Sequence, residues 1–287
     1  MPTPIDEHYI DTAWGAKLRC LSAGDGPKTI VLIPGITMTA DVFTHQMERF
    51  ASSTVRVVSY DPRGQGDSTK GWDHHDYDTR AEDVNNVMQA FADGPVVLGS
   101  WSQGLFEHLA FVRRHGVDRT AASIIIDSAP RQMCEDPTKE WGWCQAGWLN
   151  PSSPADAHIE TWILGPTVDR AGFNNDLITW ILEDPNPTSR AYFEKMCAKT
   201  PDGIASLLSA MVIPLDFQDE LKALARHQPT QIIVREDWKG VAGQWVSKHA
   251  PRATFNTMPR HASFWERPEL LNEPVARFLN DTLHWGV

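Results

Sequence analysis

Short buried strands alternating with helices predict an α/β protein with a mostly parallel central sheet, and three observations carry that expectation. Runs of β-branched and aliphatic residues recur at 29–33, 55–60, 123–126 and 231–234, continuous enough for strands covered on both faces. Between them the apolar residues fall at helical spacing, as with Val84, Val87, Met88 and Phe91. A further apolar run, 96–98, turns through Gly99-Ser100-Trp101-Ser102-Gln103-Gly104 into a helix over 105–114. Strands that alternate with helices are joined by crossovers, which places helices on both faces of the sheet.

The elements follow in order. Residues 8–10 and 17–21 form an N-terminal antiparallel hairpin through Trp14-Gly15-Ala16, and Ala23-Gly24-Asp25-Gly26-Pro27 is a turn. The strand at 29–33 ends in Pro34-Gly35-Ile36-Thr37-Met38, and a helix spans about 41–50. The strand at 55–60 leads into Asp61-Pro62-Arg63-Gly64-Gln65-Gly66-Asp67-Ser68. That glycine-rich loop lacks the Lys-Ser/Thr ending and the helix start of a phosphate cradle. A helix over 79–91 precedes the bend at Ser102, and the strand at 123–126 closes on Asp127-Ser128-Ala129-Pro130. From 131 to 216 strand runs vanish while Pro and Trp become frequent, and helical pieces fall at 176–183, 189–198 and 203–211. This segment reads as an inserted helical cap, dividing a core of residues 1–130 and 217–287. The α/β rhythm returns with the strand at 231–234, a helix at 243–248, a strand at 253–257 and a closing helix at 268–283.

Composition narrows the function classes. With 287 residues, 41% hydrophobic and 22% charged, the chain suits a soluble globular domain. No apolar run is long enough for a membrane span, and the N-terminus lacks a basic region and an apolar core, so no signal peptide is expected and the location defaults to the cytoplasm. A formal net charge of −11 with no basic cluster argues against nucleic-acid binding. Cys20, Cys134, Cys144 and Cys197 have neither zinc-type spacing nor a disulfide framework and are expected as free thiols. Twelve Trp is a high count, and five of them (Trp141, Trp143, Trp148, Trp162, Trp180) fall in one part of the cap.

The bend at Ser102 has the form of a nucleophile elbow: a strand, a serine at a strained turn, small residues two positions to each side, then a helix. Small flanks are needed because the turn brings the strand and helix backbones together. The usual first small residue is Gly, and here it is Ser100. Together with Pro34-Gly35 after the third strand, Asp61-x-Arg63-Gly64-x-Gly66-x-Ser68, and His261 near the end, this order of elements resembles the α/β-hydrolase fold. The resemblance covers roughly 5–130 and 217–285.

That resemblance implies roles for particular residues. Ser102 would be the nucleophile and His261, in the loop after the strand at 253–257, its base. For the acid two positions stay open. Asp237 lies in the loop after the strand at 231–234, the commoner place, but that loop looks one residue short and Trp238 stands where an Asp is expected. Asp127, at the end of the strand after the elbow, is the alternative. The backbone N–H groups of Ile36 and Gln103 would form the oxyanion hole. Gly35, Trp101, Trp143 and Trp162 would line an apolar substrate pocket. No metal and no cofactor is expected, and the partner is a small apolar or aromatic substrate.

Two reactions fit. One is hydrolysis of an ester, lactone or amide through a Ser102–His261–Asp triad. The other belongs to a small group of the same fold, the cofactor-free dioxygenases that cleave 3-hydroxy-4-quinolone rings with release of carbon monoxide. That group has Ser at the first small position of the elbow and uses a His–Asp dyad, here His261 and Asp127. Trp101 and Gln103 depart from the His neighbours expected of that group. A non-catalytic ligand-binding member is disfavoured by the intact Ser102 and His261, and dehalogenase or epoxide hydrolase chemistry by a serine where a carboxylate nucleophile is required.

Overall fold

The computed structural model describes residues 3–136, 138–145 and 159–287, with main chain alone at 144–145 and 159–161. The chain opens with β1 (Ile5–Asp11) and β2 (Lys17–Ala23), an antiparallel hairpin. It continues through β3 (Lys28–Ile33), helix α1 (Thr44–Phe50), β4 (Val55–Tyr60), α2 (Tyr77–Phe91), β5 (Val96–Trp101), α3 (Gly104–His115) and β6 (Thr120–Ile126). The short parallel pair β7 (Met133–Cys134) and β8 (Cys144–Gln145) follows. Four helices come next: α4 (Arg170–Ile181), α5 (Pro187–Cys197), α6 (Asp202–Met211) and α7 (Gln218–His227). The chain closes with β9 (Thr230–Arg235), α8 (Lys239–His249), β10 (Thr254–Met258) and α9 (Glu269–Leu283). Single helical turns lie between several of these elements.

Eight strands make one sheet in the order β1-β2-β4-β3-β5-β6-β9-β10, antiparallel at β1/β2 and β2/β4 and parallel elsewhere. The strands read as unbroken apolar runs because both faces are covered, and their residues alternate between two cores. Val31, Leu98, Ile125 and Ile232 pack with α2, α3, α7 and α8. Ile30, Val97, Ile124 and Ile233 pack with α1, α9 and side chains of α4 and α5. Behind β4 and β5, Arg80 of α2 and Glu107 of α3 form a buried ion pair at 2.5 Å, and Tyr60 Oη donates to the same carboxylate at 2.8 Å. The chain has the α/β-hydrolase fold expected from its sequence.

Differences from the expectation are local. β5 runs on to Trp101, past the apolar residues at 96–98, because Ser100 and Trp101 keep pairing with Ile125 and Ile126 of β6. The β7/β8 pair and a bridge between Arg131 and Asp216 lie in a stretch expected to be strandless. α7 was not anticipated, although Leu221, Leu224 and Ala225 turn one face to the core and Asp216, just ahead of the helix, accepts the Gln218 N–H at 3.0 Å. Trp148 lies outside the described residues. Among the described residues no helix is long and apolar enough to cross a membrane.

The turn from β5 into α3 is a close approach of strand and helix. Ser102 is left-handed at φ +57°, while its N–H still donates to Ile126 O at 3.1 Å, so it ends the β5/β6 ladder and begins the bend in the same residue. The helix then passes directly over the end of β3. A Cβ at Gly104 would lie 2.6 Å from Pro34 O and 2.8 Å from Ile33 O, both backbone atoms. Gly104→Val should therefore force the strand and helix apart and cost about 1–3 kcal/mol of stability. Urea denaturation measures this, and an unchanged midpoint would show that the contact is not limiting.

Candidate active site

Three strand ends converge on one carboxylate. Asp127 follows β6 at φ +38°, fully buried, and its N–H donates to Ile233 O of β9 at 2.7 Å. Its Oδ1 accepts the Arg235 N–H at 2.7 Å, and its Oδ2 accepts Arg235 Nη1 at 3.1 Å and His261 Nδ1 at 2.5 Å. Burial by itself would raise the Asp127 pKa, but the hydrogen bond and charge of His261 and the Arg235 guanidinium bring it below the ordinary carboxylate value. An ionised Asp127 can only accept, so His261 Nδ1 carries the hydrogen and Nε2 is the basic nitrogen. His261 is buried too, and desolvation lowers its pKa despite the opposing pull of Asp127.

The alternative acid is not in this arrangement. Directly after β9 the chain enters a helical turn, Glu236–Trp238, which swings Asp237 outward. Its side chain is 73% exposed and lies 3.0 Å from Arg235 Nε. Arg235 thus stands between the two aspartates, with Asp127 on the inner side and Asp237 on the outer. Asp237 does not face His261 as its carboxylate partner.

Ser102 and His261 line one cavity of about 400 Å³. Among the described residues no hydrogen bond joins them. Gly35 lies against the serine, since a Cβ there would be 2.8 Å from Ser102 Cβ and 3.2 Å from Oγ. Ile36 and Gln103, whose N–H groups are the candidate oxyanion donors, line the same cavity. Their loop and turn are held by side chains that sequence reasoning missed as positioning groups. Thr37, left-handed at φ +59°, donates its N–H to Gln65 Oε1 at 2.6 Å, and Gln65 Nε2 reaches Gly35 O and Met38 O at 3.3 and 3.4 Å. Gln103 Nε2 donates to Leu208 O of α6 at 2.9 Å and Tyr77 Oη at 3.3 Å.

The walls are aromatic. Trp101, Trp143 and Trp162 all line the cavity, and so does Trp180 of α4. The ring centroids of Trp180, Trp101 and Trp143 lie 4.7, 5.0 and 5.5 Å from that of His261. Trp101 also fixes the histidine loop from below, its Nε1–H donating to His261 O at 2.9 Å. These rings explain the desolvation of His261.

Ser100, the unusual residue of the elbow, faces the opposite side of the strand. Its Oγ lies 3.0 Å from His108 Nδ1, and His108 Nε2 lies 3.0 Å from Ser123 Oγ, which also accepts Gln228 Nε2 at 2.6 Å. Burial lowers the His108 pKa to about 3, so this chain is polar and uncharged. Among the described residues no group of three or more His, Cys, Asp or Glu side chains is placed to share a metal ion.

A sequence family described as alpha/beta hydrolase fold matches residues 28–153. An AB hydrolase superfamily protein of Bacillus subtilis is 29% identical, covering 95% of this chain and 99% of its own. A bromoperoxidase from Bacillus anthracis superposes with a TM-score of 0.81 at 21% identity, over 96% of this chain and all of its own. An esterase from Exiguobacterium antarcticum gives 0.80 at 18% identity, over 98% and 100%. Sheet order, elbow, family match and structural likeness agree that the chain has the α/β-hydrolase fold.

Proposed function

We propose that the protein hydrolyses an ester or lactone, or an amide, of a small apolar or aromatic compound through Ser102, His261 and Asp127. The observation that carries this reading is the Asp127–His261 pair, set with Ser102 on the wall of one aromatic cavity. Ser102 Oγ attacks the carbonyl carbon while His261 Nε2 takes its proton, and Asp127 stabilises the imidazolium that forms. The developing oxyanion is received by the N–H groups of Ile36 and Gln103. His261 returns the proton to the leaving group, and water then releases the acyl group by the same steps in reverse order. The residues of 131–216 act as a cap, contributing Trp143, Trp162 and Trp180 to the pocket. The esterase and bromoperoxidase likenesses support a member of this fold acting on small molecules, and every group the reaction needs is a side chain or backbone amide of the chain.

A second reading is supported by the position of the acid. With Asp127 at the end of β6 as the histidine's partner, a His–Asp dyad can act without a serine nucleophile. In that reading His261 removes the hydroxyl proton of a 3-hydroxy-4-quinolone, Ser102 only hydrogen-bonds, and the substrate anion reacts with O₂ to release carbon monoxide.

Ser102→Ala separates the two. Ester hydrolysis should fall by about a thousandfold or more, whereas a dyad enzyme would keep an appreciable share of its oxygen uptake. Parallel assays with p-nitrophenyl esters and with 3-hydroxy-4-quinolones in an oxygen electrode decide it, and hydrolysis retained in the variant overturns the serine mechanism. Asp127→Asn should cost about a hundredfold to ten-thousandfold in kcat, while Asp237→Asn should stay within about threefold. Equal effects in steady-state assays would refute the assignment of Asp127. Because neutral His261 is the active base and its pKa lies below the ordinary 6.5, the acid limb of kcat/KM should fall below pH 6.5. Activity is then retained on going down from neutral pH and lost only as the pH passes through that lowered value. A pH–rate profile with its limb above 6.5 would contradict the desolvated base.

A further inference from the structure

Arg235 is the one strongly cationic side chain among the described residues that line the cavity, and none of those residues is acidic. The guanidinium is held rigidly. Its carbon lies 3.5 Å from the ring centroid of Trp238, and 5.2 and 5.4 Å from those of Trp180 and Trp143. Nη1 donates to Asp127 and Nε faces Asp237, while Nη2 gives no hydrogen bond to any described residue. Two carboxylates flank the arginine, Asp127 at Nη1 and Asp237 at Nε, and leave Nη2 as the unengaged end of a residue that lines the cavity. Asp127 also accepts from neutral His261, and the exposed side chain of Asp237 stands on the far side of the guanidinium.

We propose that Arg235 is an anion subsite, Nη2 taking a carboxylate or other anionic oxygen carried by an aromatic or apolar substrate. The inference rests on the cavity being the substrate site and goes beyond it by naming a substrate charge. A cation fixed on indole faces in a water-poor pocket keeps its donors aimed without reorganisation, and a charge-assisted hydrogen bond there is stronger than one in water. The surrounding tryptophans would cover the apolar body of the same ligand. The serine and the arginine then sort substrates by two separate criteria: an electrophilic carbon and a negative oxygen elsewhere in the molecule.

The test reads binding without turnover, so it stands or falls separately from the hydrolase mechanism. Calorimetric titration compares 2-naphthoate with 2-naphthamide, which share a ring system and differ in charge. The unaltered protein should bind the acid at least about tenfold more tightly than the amide. Arg235→Gln should bring that ratio close to one, and Arg235→Lys should keep part of it. A role only in positioning Asp127 would change both affinities together and leave the ratio intact, which would overturn the proposal. Equal binding of acid and amide by the unaltered protein, or binding of neither, would overturn it without any variant. Absence of ester hydrolysis alongside a tenfold acid preference would refute the hydrolase reading and leave the subsite in place.

Discussion

A single buried carboxylate organises the business end of this sheet. Asp127 has no contact with water, so its charge must be met by protein groups, and those groups come from β9 and from the loop after β10. Removing the Arg235 guanidinium would leave that charge without a counter-ion in a low-dielectric interior, a cost that far exceeds the worth of a surface ion pair. The constraint fixes relative positions: β6 and β9 must end level with one another, and the histidine loop must return to the same point. His261 is placed and its tautomer chosen by that one requirement.

The segment between β6 and β9 depends on the same loop. Ala262 N–H donates to Ile181 O at 2.9 Å, and both Glu266 carboxylate oxygens accept backbone N–H groups, from Glu183 and Asp184, at 2.7 Å. Arg267 adds an ion pair to Glu183. The end of α4, which carries Trp180, is thus fastened to the residues directly following His261. Trp180 and the base are held by one set of bonds, and this part of the pocket wall is coupled to the position of its reactive nitrogen.

Much of this was legible in the sequence, and what was not shares a cause. Ser102 and the glycine contacts around it are local, because a strained turn imposes its residue types within a few positions. The unbroken apolar strands were legible for the same reason, since burial on both faces writes a continuous run. His261 was legible through its place after the last strand. The choice between Asp127 and Asp237 was not, because it turns on whether the chain after β9 extends or coils, and the helical turn at Glu236–Trp238 is a tertiary outcome. Arg235 and Gln65 are not legible because a charged or amide residue at a strand end or in a loop ordinarily points to solvent, and nothing in their spacing reveals a partner 108 or 28 positions away. α7 is written in the Leu221, Leu224 and Ala225 spacing.

The serine at position 100 carries a consequence for how this chain can vary. Glycine there would suit the bend equally well in size, yet it would strip His108 Nδ1 of its partner in a site that water does not reach. An orphaned buried group of that kind costs about 1–3 kcal/mol. An aliphatic residue at 108 would in turn orphan the hydroxyls of Ser100 and Ser123, although Gln228 still serves the latter. Positions 100, 108 and 123 therefore form a linked set in which single changes are penalised and joint changes are tolerated. The atypical elbow is one visible end of a hydrogen-bonded chain, Ser100–His108–Ser123–Gln228, that faces away from the pocket and constrains the elbow independently of the substrate.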